Sequence, residues 1–369
     1  MRVRIGADVG GTFTDIVLER ADGSIASTKV LTTHARPEQG ILAGIDTLAV
    51  EHGVDLARVD QIIHGTTLAT NALIERRGAR TALVTTDGFR DVIETRTEGR
   101  FEQYDLNIVL PTPLIERKDR FVVAERLNAR GEVLVPFDDS GARLVIDALA
   151  EGGYGAVAVG FIHSYRNPEH EQRFRALLSK VLPEVAVSIS SEVSPQMREF
   201  ERFNTVAANA YVQPLMASYL VRLRDELRSR GVEAPLHLIH SGGGLIGVET
   251  AAAFPVRLVE SGPAGGAIFA ADLAARFGRD RVLSFDMGGT TAKIALIEDF
   301  TPHTAKTFEV ARSTRFKKGS GMPISVPVIE MIEIGAGGGS IASVDALGQI
   351  RVGPTSAGSE PGPASYDRG

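Results

Sequence analysis

Two short stretches of this sequence carry residues suited to gripping phosphate. Val3-Arg4-Ile5-Gly6-Ala7-Asp8-Val9-Gly10-Gly11-Thr12 has a counterpart in Arg281-Val282-Leu283-Ser284-Phe285-Asp286-Met287-Gly288-Gly289-Thr290. Each reads as an apolar strand, then Asp-x-Gly-Gly-Thr, then a second strand, which makes an internal repeat. Paired glycines permit a tight turn with unhindered backbone N–H groups, and such a turn can wrap phosphate oxygens. The hydroxyls of Thr12, Thr290 and Thr291 add donors. A carboxylate at the end of each strand, Asp8 and Asp286, can hold Mg²⁺ or one of its waters. The candidate cofactor-binding residues are therefore Gly10, Gly11, Thr12, Asp15, Gly288, Gly289, Thr290 and Thr291, with Asp8 and Asp286 as candidate catalytic and metal-binding groups.

These turns need elements to aim them. Strand-like runs Val3 to Val9 and Phe13 to Leu18, then an Asp22-Gly23 hairpin signal into Ile25 to Leu31, predict a three-strand antiparallel opening. Pro37 starts a helix that Gly53 closes; a short strand around Gln61 to Ile63 follows, then a helix from Thr67 to Arg77 stopped by Gly78. Strands at Thr81 to Thr85 and Ala156 to Phe161, and a helix capped by Asn167 with Pro168 in its first turn, continue an α/β alternation. The stretch 96 to 118 is irregular. Helical spacing runs from Pro195 to Arg230 but meets Pro214, which predicts two helices. A strand from Leu236 to His240, a helix after Pro263 and a strand pair bracketing Gly288-Gly289 complete the pattern.

Other signals are weaker. His64 ends a strand beside two threonines and is open to two readings, orienting a substrate or phosphate, or serving as a hydrogen-bonded structural histidine. His163 and His170 with Glu169 and Glu171 lack metal-site spacing, and Asn167-Pro168-Glu169 reads more simply as a helix start with favourable early acids. Gly335-x-Gly337-x-x-Ser340 lacks the third glycine of a dinucleotide fold and reads as a turn close to the nucleotide. Lys317-Lys318 reads as solvated loop. Walker A, G-x-S-x-G and H-E-x-x-H sequences do not occur.

Composition excludes several classes. With 369 residues, 43% hydrophobic and 23% charged, the chain is long enough for two packed domains of ordinary globular character. A net charge of -6 argues against nucleic acid or anionic lipid as partner. Zero cysteine rules out disulfides, thiolate zinc and protein-held iron–sulfur clusters. Asp8 and Asp15 interrupt the first apolar stretch, which therefore cannot be a signal peptide's core, and no run of 18 uncharged apolar residues occurs. The reading is a cytoplasmic protein with no membrane partner.

The order of first motif, Glu260-Ser261-Gly262-Pro263-Ala264-Gly265-Gly266 and second motif resembles the phosphate, connecting-helix and phosphate elements of actin, sugar kinases and chaperone ATPases. More narrowly, the whole chain resembles the hydantoinase A/5-oxoprolinase family. That resemblance rests on His64-Gly65-Thr66-Thr67-Leu68-Ala69-Thr70-Asn71-Ala72, Asn167-Pro168-Glu169-His170-Glu171, Glu260 to Gly266, Glu333-Ile334-Gly335-Ala336-Gly337-Gly338-Gly339-Ser340 and Pro361-Gly362-Pro363-Ala364. It implies a two-lobed, actin-like (ribonuclease H-like) α/β ATPase, the first lobe built by roughly residues 1 to 275 and the second beginning near Arg281. It also implies an N-terminal-type domain over 1–200 and an oxoprolinase-type domain over 201–369. The implied activity is ATP- and Mg²⁺-dependent hydrolysis of a cyclic amide, with this chain as the nucleotide-binding A-type subunit and a B-type subunit or domain as partner. A small-molecule kinase, the ATP-binding subunit of an acetone-type carboxylase and a non-catalytic nucleotide switch would share the same clamp. Only about 80 residues follow the second motif, too few for a lobe matching the first. The expectation is a fragment or half of a split protein, with an incomplete second lobe, weak nucleotide binding and exposed apolar surface.

Overall fold

The computed structural model describes residues 3–33, 35–97, 99–289, 291–312, 317–358 and 361–366. The opening strands form as the alternation predicts: β1 (Val3–Val9), β2 (Phe13–Arg20) and β3 (Ile25–Leu31) pair antiparallel in sequence. Helix α1 (Pro37–His52) begins at its proline and ends at Gly53, whose φ of 62° makes it a left-handed cap. Strand β4 (Val59–Thr66) then returns parallel to β1.

Helix α2 (Leu68–Ile74) stops earlier than its sequence suggests. Arg76 takes the left-handed turn at φ 57°, and Gly78 serves elsewhere. A Cβ on Gly78 would stand 2.2 Å from the Tyr211 ring, so its bareness allows a close approach rather than a helix cap.

A second sheet follows, made of β5 (Thr81–Thr86), β6 (Arg120–Val123), β9 (Ala156–Gly160) and β10 (Ala186–Ile189), all parallel in the order β10-β9-β5-β6. Between them lie α3 (Val92–Thr95), the small hairpin β7 (Arg126–Leu127) and β8 (Val133–Val135), α4 (Asp139–Gly152), α5 (Glu169–Val181) and α6 (Ser190–Val193). Pro168 occupies the cap position of α5, and Asn167 Oδ1 accepts from the Glu169 N–H at 3.1 Å. Parallel strands covered on both faces should be continuously apolar, and β9 is Ala-Val-Ala-Val-Gly, buried throughout.

Helix α7 (Glu199–Ser229) corrects the two-helix expectation: it is one helix of 31 residues with Pro214 inside it. An interior proline removes a helical hydrogen bond and crowds the preceding turn, typically at about 3 kcal/mol. Tertiary contacts outweigh that cost. Val212, Met216, Tyr219 and Leu220 are buried around the break, and the Tyr211 carbonyl there accepts from the Ala79 N–H at 2.9 Å. Because α7 contributes to the same apolar cluster as β1, β4, β5 and β9, it welds the first two sheets into one core.

Strands β11 (Leu236–Ile239) and β12 (Leu245–Gly247) extend the first sheet to the order β12-β11-β4-β1-β2-β3, followed by α8 (Val248–Ala253) and α9 (Ser261–Arg276). The third sheet holds the second motif. Strand β13 (Arg281–Met287) pairs antiparallel with β14 (Ala292–Glu298), and β14 also pairs with β15 (Thr301–Pro302) and β20 (Met331–Ile334). Short ladders complete the chain: β16 (Thr304–Ala305) with β19 (Val328–Ile329), β17 (Phe308–Val310) with β18 (Met322–Ile324), and β21 (Ser340–Val344) with β22 (Ile350–Ser356). Among the described residues no helix is long and apolar enough to cross a membrane.

Candidate active site

Strand register puts the first carboxylate in a row of functional positions. Asp8 lies opposite Asp15 on β2 and Gly65 on β4, and Asp15 lies opposite Lys29 on β3. Residues in register share a sheet face, so Gly65, Asp8, Asp15 and Lys29 form one line across four strands. Lys29 Nζ is 2.9 Å from Asp15 Oδ1. Asp8 makes no ion pair among the described residues.

Two glycines make room for Asp8. A Cβ on Gly65 would stand 2.7 Å from Asp8 Oδ1, and one on Gly262 3.2 Å away. The start of α9 is fixed there by Ser261, whose Oγ donates to the Thr66 carbonyl at 2.9 Å and accepts from the Thr66 N–H at 3.2 Å. The carboxylate is open to solvent on one side and closely packed by protein on the other. Its pKa rises to about 6, first through desolvation, then through the negative charges of Asp15 and Asp286, with Lys29 opposing.

The second turn repeats the first in its backbone. Gly10 N–H donates to the Phe13 carbonyl at 2.9 Å, and Gly288 N–H donates to the Thr291 carbonyl at 2.9 Å, the same turn 278 positions later. The two turns abut, since a Cβ on Gly289 would lie 3.3 Å from Thr12 Oγ1. A third glycine-rich loop closes onto the second turn: Gly338 N–H donates to the Gly288 carbonyl at 2.9 Å and Gly339 N–H to the Gly289 carbonyl at 2.7 Å. The structure thus brings together Asp8, Gly10, Gly11, Thr12, Asp15, Asp286, Gly288, Gly289 and Thr291. Thr290 lies outside the described residues.

Lys293 is absent from the sequence motifs, and Glu260 enters them only as the start of the Glu260–Gly266 stretch, with no role at the site. Lys293 lies opposite Asp286 on β14, the place that Asp15 holds opposite Asp8, so the repeat itself was the signal that could have found it. Its Nζ is ion-paired with Glu260 and lies 3.9 Å from Glu333. Glu260 caps α9 with φ 65°, a conformation costly for a residue with a Cβ, and its N–H donates to Thr70 Oγ1 at 3.1 Å.

His64 takes the structural reading. It is buried, its Nδ1 is 3.0 Å from the Ala7 carbonyl, and its Nε2 is 2.8 Å from the Tyr219 hydroxyl. A carbonyl can only accept, so Nδ1 carries the proton and Nε2 accepts from Tyr219. Desolvation lowers the His64 pKa to about 4, with the Ala7 carbonyl opposing, so the ring is neutral. His170 and Glu171 are likewise committed internally: His170 Nδ1 is 2.7 Å from Glu125 Oε2, and Glu171 accepts from the Phe161 N–H, Ser190 Oγ and the Ser191 N–H. Lys317 is ion-paired with Glu102.

Among the described residues no three His, Cys, Asp or Glu side chains form a ready-made metal cage. A Mg²⁺ ion that shares its coordination with phosphates and waters needs only one or two carboxylates, and Asp8 and Asp286 are the residues that could hold one here. A cation there would offset the upward push that desolvation first, and Asp15 and Asp286 second, exert on the Asp8 pKa. The arrangement fits a phosphate–metal group held between two backbone turns.

Fold and site together describe a mixed α/β protein with paired glycine turns converging on carboxylates. The N-terminal region of the hydantoinase/oxoprolinase family matches residues 4–182, and the hydantoinase/oxoprolinase family matches residues 202–369. The chain belongs to the hydantoinase/oxoprolinase family. It is 36% identical to caprolactamase subunit alpha of Pseudomonas jessenii over 375 residues, covering 99% of this chain and 52% of that one. The solved structure of ATP-dependent caprolactamase from the same organism matches with a TM-score of 0.80 at 33% identity, over 99% of this chain and 52% of that chain. A nucleotide-free acetone carboxylase structure matches with a TM-score of 0.81 at 25% identity, over 96% of this chain and 51% of that chain. The chain spans about half the length of these relatives.

Proposed function

We propose that this chain is the ATP-binding, A-type part of an enzyme that hydrolyses cyclic amides. The observation that carries the reading is the abutment of the two Asp-x-Gly-Gly-Thr turns, Gly289 against Thr12, with Asp8 and Asp286 close enough to repel. Likeness to an ATP-dependent caprolactamase supports the ring-opening activity. The matched strand–turn–strand units β1–β2 and β13–β14, with α9 packing against both β4 and β13, support a two-lobed actin-like arrangement. On this reading the N-terminal-type domain spans 1–200 and the oxoprolinase-type domain 201–369, and the protein is cytoplasmic.

ATP has a task here because an amide carbonyl is a poor electrophile. Transfer of the γ-phosphoryl group to the carbonyl oxygen, with release of ADP, leaves a carbon that water attacks. Cleavage of the ring C–N bond and hydrolysis of the phosphoryl group then give an amino acid and phosphate. Overall one water is spent on the amide and one on the phosphoryl group. Gly10, Gly11, Thr12, Asp15, Gly288, Gly289, Thr290 and Thr291 hold and orient the nucleotide, while Asp8 and Asp286 direct Mg²⁺ and position the attacking group. Mg²⁺ supplies neutralisation of phosphate charge. A B-type subunit or domain completes the substrate site.

The likeness to acetone carboxylase favours a second reading, in which the same clamp activates a ketone for carboxylation. ATP turnover, measured with the B-type partner supplied across a panel of lactams, hydantoins and ketones, separates the two. Turnover stimulated by cyclic amides alone supports ring opening. Turnover requiring a ketone and bicarbonate rejects it.

A further inference from the structure

The second sheet carries a cavity that the nucleotide site does not use. Its volume is about 770 Å³, and it is lined by the loop after β5 (Gly88, Phe89, Asp91), by His163 after β9 and by the first turn of α7. Sheet order explains the place. The chain leaves β5 for β6 on one side, and leaves β9 for β10 on the other. The carboxyl ends of β5 and β9 therefore diverge at a topological switch point, the crevice where open parallel sheets bind ligands.

Backbone strain gathers at the same cavity. Arg96 (φ 61°, ψ -137°), His163 (φ 58°) and Arg198 (φ 83°, ψ 106°) all line it, and each holds a conformation that side chains with a Cβ rarely adopt. Strain of this kind persists where the surroundings over-determine it, and it concentrates at ligand sites.

The charges of the lining point to the ligand class. Asp91 is neutralised by Arg117 at 2.9 Å. Arg198 is exposed and makes no ion pair among the described residues, and Arg96, lying over the Phe200 ring, gives Nη2 to the Gly319 carbonyl at 2.6 Å and the Gly321 carbonyl at 3.3 Å but leaves Nη1 without a partner. On the acidic side, Glu199 makes no ion pair among the described residues, and Glu201 Oε2 has no partner. Arg96 Nη1 and Glu201 Oε2 are also out of contact with solvent, so a side-chain rotation that brought them to a ligand would recover their lost hydrogen bonds. The lining thus carries both signs of charge, Arg198 and Arg96 against Glu199 and Glu201. A ligand with both charges matches such a lining, while Phe89, Val92 and Phe200 offer apolar surface to its carbon chain.

We propose that this cavity binds a free amino acid, its carboxylate at Arg198 and Arg96 and its ammonium at Glu199 and Glu201. If the ring-opening reading also holds, such a molecule is the class of product that reaction forms, and the cavity is a product-binding site apart from the nucleotide.

Ligand-observed NMR and calorimetry on the full chain test it with L-glutamate and 5-aminopentanoate, and with pentanoate and pentylamine as single-charge controls. At least one amino acid should bind below about 10 mM, and Arg198→Ala and Glu201→Gln should each weaken it about tenfold. Asp8→Asn should leave that binding unchanged, which keeps the result independent of ATP turnover. Absence of amino-acid binding, equal binding of pentanoate or pentylamine, or indifference to both cavity substitutions would overturn the proposal.

Discussion

Asp8 and Gly65 are neighbours across β1 and β4, and the carboxylate fits only because position 65 has no side chain. A Cβ there would stand 2.7 Å from Oδ1, inside any real contact distance. Gly65→Ala should therefore push Asp8 toward the space between the two turns while leaving the sheet intact. The expected outcome is a loss of ATP turnover of about 100-fold, the scale on which small misplacements act. Circular dichroism and a melting temperature near wild type, beside the turnover assay, check it. An active Gly65→Ala protein would show that the notch does not aim the carboxylate.

Asp8→Asn and Asp286→Asn should each reduce turnover by at least about 100-fold, since each removes a charge proposed to direct the metal. Binding of Mg²⁺ to the nucleotide-free chain should weaken as pH drops through about 6, where a proton competes with the metal for Asp8. The stability effect has the opposite direction. A carboxylate whose folded pKa is raised above 3.8 favours the fold when protonated, so its ionised form weakens the fold increasingly from pH 4 to above 6. Solvent on one side of Asp8 screens this effect, so Asp8→Asn should raise the melting temperature by roughly 2 °C at pH 8 and hardly at all at pH 4. Thermal melts at the two pH values decide it; a lower melting temperature at pH 8 would contradict the sign.

His64 should act on stability with the reverse pH dependence. Its folded pKa of about 4 lies below the ordinary 6.5, so the unfolded chain takes up the proton first. Stability is complete above pH 6.5 and is lost as pH falls toward 4, by roughly 3 kcal/mol for a fully buried ring. His64→Gln should remove that acid limb from urea-unfolding free energies measured between pH 4 and 8. Unchanged pH dependence in the variant would mean that His64 is not buried neutral.

Strand β13 presents an open apolar face. Leu283, Phe285 and Met287 are 55%, 58% and 54% exposed, whereas Ile5, Ala7 and Val9, at the same places in the first repeat, are buried. Strand β1 has β4 along one side and β2 along the other, while β13 pairs only with β14 among the described strands. An apolar face beside an unpaired edge favours association. The chain alone should therefore self-associate in light scattering, and Leu283→Glu with Phe285→Glu should return it to monomer. A monodisperse wild-type monomer would reject the prediction.

The sequence by itself settled what is local or repeated. Pro37 and Gly53 bracket α1 because fixed φ and left-handed φ are properties of single residues. The two Asp-x-Gly-Gly-Thr turns were legible because each is made within a few consecutive residues and occurs twice. Pro214 was misread for the complementary reason: its cost is local, but the contacts that outweigh it come from residues such as Ala79, far away in sequence. Distance also hid the role of Gly65 and Gly262, whose bareness matters only because folding sets them against Asp8. His64 stayed open between two roles until Ala7 and Tyr219 took up its two nitrogens. Tertiary structure decided those cases because a side chain's pKa, partners and available room are set by neighbours that the chain order does not reveal.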